Sequence, residues 1–69
     1  MELTIKLGNK IRLLRKKKGW TIEDLAFEAD LNRNYIGDLE RGLRNPTLKV
    51  LEKVAKAFEI SIQELLADI

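Results

Sequence analysis

Apolar residues recur at helical spacing in most segments of this sequence, and this pattern constrains the fold more than any other feature. Near the start, four apolar positions would line one face of a helix of about residues 4–18: Leu3, Leu7, Ile11 and Leu14. The same spacing returns later at Leu48, Leu51, Val54, Ala55 and Phe58. No alternation of apolar and polar residues is sustained, and no Asn-Gly or Asp-Gly turn occurs. The sequence therefore predicts an all-α chain.

Capping residues divide the sequence into five short helices. Side chains that can accept a free N–H precede the predicted helices 2 to 5, namely Thr21, Asn32, Thr47 and Ser61. Residues that tolerate the left-handed conformation would end helices 1 to 3, namely Gly19, Asp30 and Gly42. Helix 2 should stop near residue 29, helix 3 should have about ten residues, and helix 5 should cover about 62–67. The connections should have about two to five residues.

The length of the chain and the residue types that it lacks limit its chemistry. Its 69 residues suit a single domain over residues 1–69. With no cysteine and no histidine, it has no thiolate metal site and lacks the commonest general base. The acidic residues Glu23, Asp24, Glu28 and Asp38 are interpreted as a solvated face rather than as an active site. We predict no enzyme, no metal, no other cofactor and no small-molecule effector.

The distribution of charge and the absence of long apolar runs indicate the kind of partner. Residues 1–18 contain seven basic and one acidic residue, a net charge of +6, whereas residues 19–69 contain six basic and ten acidic residues, a net charge of −4. This asymmetry favours an anionic partner, although a solvated basic helix face would look the same. No apolar run approaches the roughly 18 residues of a membrane span, and no secretory segment opens the chain. We expect no membrane partner and a cytoplasmic location.

Helices 2 and 3 are predicted to form a helix-turn-helix, because the turn between them has only about three residues. Ala26 is small enough for a close crossing of the two helices. On helix 3, one side would carry Arg33, Asn34, Gly37, Asp38 and Arg41, and the other side would carry Ile36, Leu39 and Glu40. Arginine can bind guanine O6 and N7, asparagine can pair with adenine, and aspartate can accept a bond from cytosine N4. Arg33, Asn34 and Asp38 are therefore the candidate base-reading residues; alternatively, Asp38 excludes wrong registers by repelling phosphate.

Gly37 lies in the middle of this helix and has two interpretations. Glycine costs a helix about 1 kcal/mol relative to alanine. Close approach of the backbone to a DNA groove would justify that cost. Alternatively, the glycine is tolerated because the position faces solvent.

Three segments of the sequence resemble one known family. They are LGNKIRLLRKKKGWTIEDLA, LNRNYIGDLERGLRNPTLKVLEKVAKAF and ISIQELL. In order and spacing they are similar to the lambda-repressor-like DNA-binding domains. Within that group, RNYIGDLERGLRNPTLKVLEKVAKA most resembles the controller proteins of restriction–modification systems. The resemblance implies a homodimeric, sequence-specific transcriptional regulator that binds the major groove of double-stranded DNA at a palindromic operator.

The chain offers several groups for the DNA backbone. The resemblance implies that Arg44 and Asn45, in the loop after helix 3, contact phosphates, and Arg41 is a further candidate. The backbone N–H groups of Thr21 and Ile22 lie at a helix N-terminus, which attracts anions. The hydroxyl of Tyr35 would either meet a phosphate or pack partly against helix 2.

The resemblance also implies one structural ion pair and exposes two departures from the family pattern. Glu40 matches a family position that pairs with an arginine of helix 1, which is Arg15 here. Ile22 stands where the family usually has a glutamine that braces the first recognition residue, so that contact should be absent. Asp30 stands where the turn often has glycine or asparagine.

Helix 5 is expected to contribute to dimerisation. Leu65 and Ile62 should face the core, which leaves Ile60, Leu66 and Ile69 as an exposed apolar patch. A dimer would place two recognition helices about 34 Å apart on one side of the duplex. The alternative function is a helix-turn-helix module of antitoxin-like type that binds a protein partner.

Overall fold

Five helices form the described part of the chain, which covers residues 2–69 in the computed structural model. Their bounds are α1 Glu2–Lys17, α2 Ile22–Ala29, α3 Arg33–Glu40, α4 Leu48–Ala57 and α5 Ile62–Leu66. Residues 2–69 contain no strand, so the predicted all-α class is confirmed. Met1, the first residue of the predicted domain, lies outside this range. No helix within it is both long and apolar enough to cross a membrane.

Capping side chains begin four of the helices, as predicted. An N–H group in the first turn of each helix donates to its cap, and the caps are Thr21, Asn32, Thr47 and Ser61. The N–H of Ser61 also donates to the carboxylate of Glu64, which completes a capping box. α2 begins with a second capping box, in which Asp24 accepts the N–H of Thr21 at 2.9 Å. This box was not predicted from the sequence.

The first four helices end in the same kind of turn. A left-handed residue follows each helix, and the next residue donates its N–H to a carbonyl five positions earlier. Gly19, Asp30 and Gly42 are the predicted left-handed residues, whereas Glu59, at a φ of 60°, is not predicted. α3 ends at Glu40, before the expected closure at Gly42, and its connection to α4 covers residues 41–47. This connection is longer than predicted, because the turn around Gly42 is followed by Pro46, which prevents α4 from extending backward.

The core draws side chains from all five helices. Its largest fully buried members are Ile11, Leu25, Ile36, Leu39, Val54 and Leu65. Trp20, in the turn after α1, is half-buried and packs on the edge of this core. Its ring stacks on that of Phe58, with the two centroids 5.8 Å apart.

The inward face of α1 differs from the predicted face at its first turn. Leu3 is 58% exposed, whereas Thr4 is buried and donates its hydroxyl to the carbonyl of Gly42. One turn later, a Cβ on Gly8 would overlap backbone carbonyl oxygens of α3. Because this contact brings α1 and α3 together backbone to backbone, it turns Thr4 inward and Leu3 outward. The contact fixes α3 firmly on the body of the protein.

Candidate nucleic-acid interface

The start of α3 presents both predicted base-reading side chains to solvent. Arg33 and Asn34 occupy the first two positions of the helix, and both are exposed. The side chain of Asn32 accepts the N–H of Asn34 at 2.7 Å, which fixes where the helix begins. Ile36 and Leu39 are 0% and 2% exposed on the opposite side. α3 therefore has one packed side and one open side, and the protein's own body does not cover Arg33 or Asn34.

Glu23, in the first turn of α2, holds the guanidinium group of Arg33. Nε of Arg33 donates to Oε2 of Glu23 at 3.1 Å, and Nη2 lies 2.9 Å from the same oxygen. The pKa of Glu23 is lowered, first by its own backbone N–H and next by the positive charge of Arg33. The family's glutamine contact was expected to be absent, because Ile22 stands at that position. Glu23, the next residue of α2, contacts Arg33 instead.

Asp38 binds two arginines of the same chain. Nη2 of Arg41 donates to Oδ1 of Asp38 at 2.6 Å, and Nε of Arg44 donates to Oδ2 at 3.1 Å. Only 24% of the Asp38 side chain is exposed. Each oxygen of Asp38 accepts one N–H donor from these arginines, and the contacts position Arg41 and Arg44 side by side. Base reading by Asp38 stays a prediction.

Arg44 and Tyr35 form a second contact beside this cluster. The guanidinium carbon of Arg44 lies 5.2 Å from the centre of the Tyr35 ring, within the range of a cation–π interaction. Tyr35 is half-buried and packs against the core, which is one of the two alternatives considered for it. Asn45, the next residue in the loop, is exposed. Contact of these side chains with phosphate stays a prediction.

Gly37 is buried beneath an arginine. A Cβ at this position would lie 3.5 Å from Nη1 of Arg41, which is an ordinary van der Waals contact. The interpretation of Gly37 as a solvent-facing position is therefore wrong, because Arg41 folds over it. An alanine would fit here without displacing backbone.

The N-terminus of α2 offers fewer free N–H groups than predicted. The N–H of Thr21 already donates to Asp24 in the capping box, so it is not free to meet a phosphate. Ile22 is the first residue of α2, and its N–H is among those that helix geometry leaves without an intrahelical carbonyl. The predicted anion contact at this helix end therefore depends on Ile22 rather than on Thr21.

Arg15 and Glu40 lock α1 to α3 through two parallel hydrogen bonds. Nε of Arg15 donates to Oε2 of Glu40 at 2.6 Å, and Nη2 donates to Oε1 at 3.0 Å. Nη1 of Arg15 donates to the carbonyl of Trp20 at 2.8 Å. The pKa of Arg15 is raised by its hydrogen bond to Glu40, although burial opposes this shift. The expected pair is present, and it also holds the turn after α1.

The predicted interface residues lie along two separate depressions. Leu66 and Ile69 line an apolar notch together with Leu3, which sequence reasoning did not include. Ile60 lines another depression, beside Ile62. Leu66 is 37% exposed, and Leu65 between these surfaces is fully buried. The structure therefore brings Leu66 and Ile69 together, but it places Ile60 apart from them.

The fold and the exposed start of α3 define a class of protein. A helix-turn-helix family model matches residues 11–65 of this chain. The chain belongs to the helix-turn-helix family of lambda-repressor-like domains, and it is a DNA-binding transcriptional regulator.

Within this family, the chain is similar to control proteins. The control protein C.BamHI of Bacillus amyloliquefaciens is 47% identical over 60 residues, which are 86% of this chain and 74% of that protein. The crystal structure of the restriction-modification controller protein C.AhdI from Aeromonas hydrophila matches with a TM-score of 0.91 at 42% identity, over 94% of this chain and 98% of that one. The controller protein C.Esp1396I, solved as a tetramer with its natural 35 base-pair operator, matches with a TM-score of 0.85 at 40% identity, over 96% of this chain and 91% of that one.

Proposed function

We propose that the chain is a homodimeric controller protein that inserts α3 into the major groove of a palindromic operator. The exposure of Arg33 and Asn34 at the start of a helix fixed on the protein body carries this proposal. In helix-turn-helix proteins, the first residues of the second helix reach the base edges. Arg33 then binds guanine O6 and N7, and Asn34 pairs with adenine.

Contacts with the DNA backbone set the position of α3 in the groove. Arg41 and Arg44 are held side by side by Asp38, which supports a role for both in binding phosphates. Tyr35, Asn45 and the N–H of Ile22 supply neutral donors. Because these donors bind phosphate rather than bases, they strengthen binding to every sequence and leave the choice of bases to the base-reading side chains of α3.

Dimerisation supplies the affinity that one small domain lacks. We propose that α5 contributes to the dimer through Leu66 and Ile69, with Leu3 beside them and Ile60 at a separate contact. The proposal is supported by the exposed apolar surface around Leu66. The controller protein C.Esp1396I forms a tetramer on its operator.

The relatives support a proposal for the kind of operon that the chain controls. We infer that the chain controls a restriction–modification operon, because C.BamHI and C.AhdI are control proteins. It acts by binding DNA rather than by catalysis, and it acts in the cytoplasm, where such an operon is transcribed. Its sequence has neither histidine nor cysteine to serve as a catalytic base or nucleophile.

Selection of bound sites from random duplex DNA tests the proposal. The expected result is a palindrome with half-sites about 34 Å apart, bound more weakly as salt rises. Arg33→Ala should weaken binding by about 1–3 kcal/mol and relax the choice at one base position in each half-site. Binding that is independent of salt would contradict the phosphate contacts. An unchanged base preference in Arg33→Ala would remove Arg33 from the base-reading residues.

The dimer has its own test. Leu66→Glu places a charge in the apolar notch, so sedimentation should detect monomers where the unaltered chain gives dimers. The variant should bind a palindrome no better than it binds a single half-site. A Leu66→Glu protein that remains dimeric would remove α5 from the interface.

A further inference from the structure

The contact between Glu23 and Arg33 leaves part of the guanidinium group available. A guanidinium group has two edges that can each donate two parallel hydrogen bonds. Nε and Nη2, which face Glu23, form one of these edges. The other edge, made by Nη1 and Nη2, makes no hydrogen bond to another group of residues 2–69. Because guanine accepts two parallel bonds at O6 and N7, this second edge matches guanine.

The surroundings of the pair suit a brace that stays in place during DNA binding. Glu23 lies in the first turn of α2, where the helix dipole favours a negative charge. Its side chain is 60% exposed and that of Arg33 is 58% exposed, so a nucleic acid can reach the pair. α2 and α3 are packed together through the buried residues Leu25 and Ile36, which hold the two ends of the contact at a fixed separation.

We propose that Glu23 is a positioning residue that sets the base preference of Arg33. It binds the Nε–Nη2 edge and directs the Nη1–Nη2 edge outward, toward two parallel acceptors. This inference rests on the proposed function, because it requires α3 to read DNA. It assigns to Glu23 the bracing task that Ile22 cannot perform.

The test measures base preference one position at a time. The duplex is the site selected by the unaltered protein, together with each single-base substitution of one half-site. Arg33→Ala identifies the position that Arg33 reads. In Glu23→Ala, discrimination at that position should fall about two- to five-fold, which is the range of an exposed charged pair. Discrimination at the other positions should not change. Glu23→Gln keeps an acceptor oxygen and should retain more discrimination than Glu23→Ala.

Two controls separate positioning from a general effect of charge. Glu28→Gln removes one negative charge from the same helix, at a residue that forms no ion pair within residues 2–69. This variant should change the affinity for all duplexes alike and leave every preference intact. In an Arg33→Ala background, Glu23→Ala should have no further effect on discrimination at the chosen position.

The possible failures are distinct. If the unaltered protein selects no site, the proposed function itself is wrong, and the role of Glu23 falls with it. If Arg33→Ala abolishes the base preference at one position while Glu23→Ala preserves the preference at that position, only the inference about Glu23 is overturned. Equal loss of preference at every position in Glu23→Ala would also overturn it, because a brace on one side chain acts on one base.

Discussion

Two arginine–carboxylate pairs in this protein have similar chemistry and opposite surroundings. Arg15 and Glu40 join α1 to α3, and their side chains are only 11% and 6% exposed. Arg33 and Glu23 join α3 to α2, and their side chains are 58% and 60% exposed. The closest nitrogen–oxygen distances are 2.6 Å in the first pair and 2.9 Å in the second. Burial separates the two pairs most clearly, and their geometry also differs, because Glu40 accepts with both oxygens whereas Glu23 accepts with Oε2 alone.

The difference shows how one small fold combines a rigid support for α3 with a side chain that is open to solvent. All three nitrogens of Arg15 donate to protein oxygens, so this arginine has no edge left for DNA. Arg33 uses one edge only and remains open to solvent. A buried pair is costly to break, whereas an exposed pair contributes about 0–1 kcal/mol. The first pair therefore positions α3, and the second leaves one edge of Arg33 open to solvent.

Breaking the buried pair should produce the largest effect. Glu40→Ala leaves the guanidinium group of Arg15 buried without its carboxylate, and it should lower the free energy of unfolding by about 3–5 kcal/mol. The measurement is denaturant unfolding followed by circular dichroism. The matched variant Glu23→Ala removes a carboxylate from the exposed pair and should leave the unfolding midpoint almost unchanged. Equal losses of unfolding free energy in Glu40→Ala and Glu23→Ala would contradict the difference drawn between the buried pair and the exposed pair.

A double replacement sharpens the same point. Arg15→Met combined with Glu40→Leu removes both charges and keeps the volume apolar, so most of the stability lost in Glu40→Ala should return. If the double variant is as unstable as Glu40→Ala, apolar side chains cannot replace the hydrogen bonds at this position.

The backbone contact between α1 and α3 should give the next largest effect. Gly8→Ala forces a Cβ against carbonyl oxygens of α3, which can move only with the helix itself. Overpacking of this kind typically costs about 1–3 kcal/mol, and for a domain of this size each kcal/mol lowers Tm by about 4–8 °C. Calorimetry measures the shift. A variant with unchanged Tm would show that α1 and α3 are less closely fixed than the structure indicates.

The other helical glycine should behave in the opposite way. At Gly37 a Cβ meets only the guanidinium group of Arg41, with Nη1 at 3.5 Å and Nη2 at 3.9 Å, so alanine fits without strain. Gly37→Ala should raise the free energy of unfolding by about 1 kcal/mol, the difference in helix propensity. The same unfolding measurement checks it, and a destabilised variant would contradict the prediction. A lower affinity for the selected DNA in this more stable variant is the result expected if the glycine permits close approach to the groove.

The fold was predictable from the sequence because its signals are local. Caps such as Thr21 and Ser61 act within one helical turn, and the spacing of apolar residues identifies the helices before any tertiary contact is known. The inward turn of Thr4 was not predictable from spacing alone, because it depends on how closely Gly8 lets α1 approach α3. The left-handed Glu59 was also missed, since its conformation is imposed by the turn rather than favoured by glutamate.

The candidate site was only partly predictable. Exposure of Arg33 follows from the helical periodicity of α3, but its partner Glu23 lies on another helix, and their contact depends on the crossing of α2 and α3. Asp38 shows the same limit. Its place on the open side of α3 suggested base reading, whereas the path of the following loop brings Arg44 back onto its carboxylate.

The smallest expected effect is a shift in the titration of Glu23, and it tests whether the exposed pair forms in solution. The pKa of this carboxyl lies below its ordinary value, because its own backbone N–H and then Arg33 stabilise the charged form. In Arg33→Ala the pKa should rise part of the way back, since the backbone contribution remains. Carboxyl-carbon NMR across the acidic range measures it.

The sign of the pH effect follows from this lowered pKa. A carboxyl group with a lowered pKa stabilises the fold above its unfolded pKa, and that contribution is lost as pH falls through the folded value. As Glu23 takes up a proton, its hold on Arg33 weakens. Base discrimination at the position read by Arg33 should therefore decline on acidification. An identical Glu23 titration in both proteins would show that the guanidinium group of Arg33 moves freely.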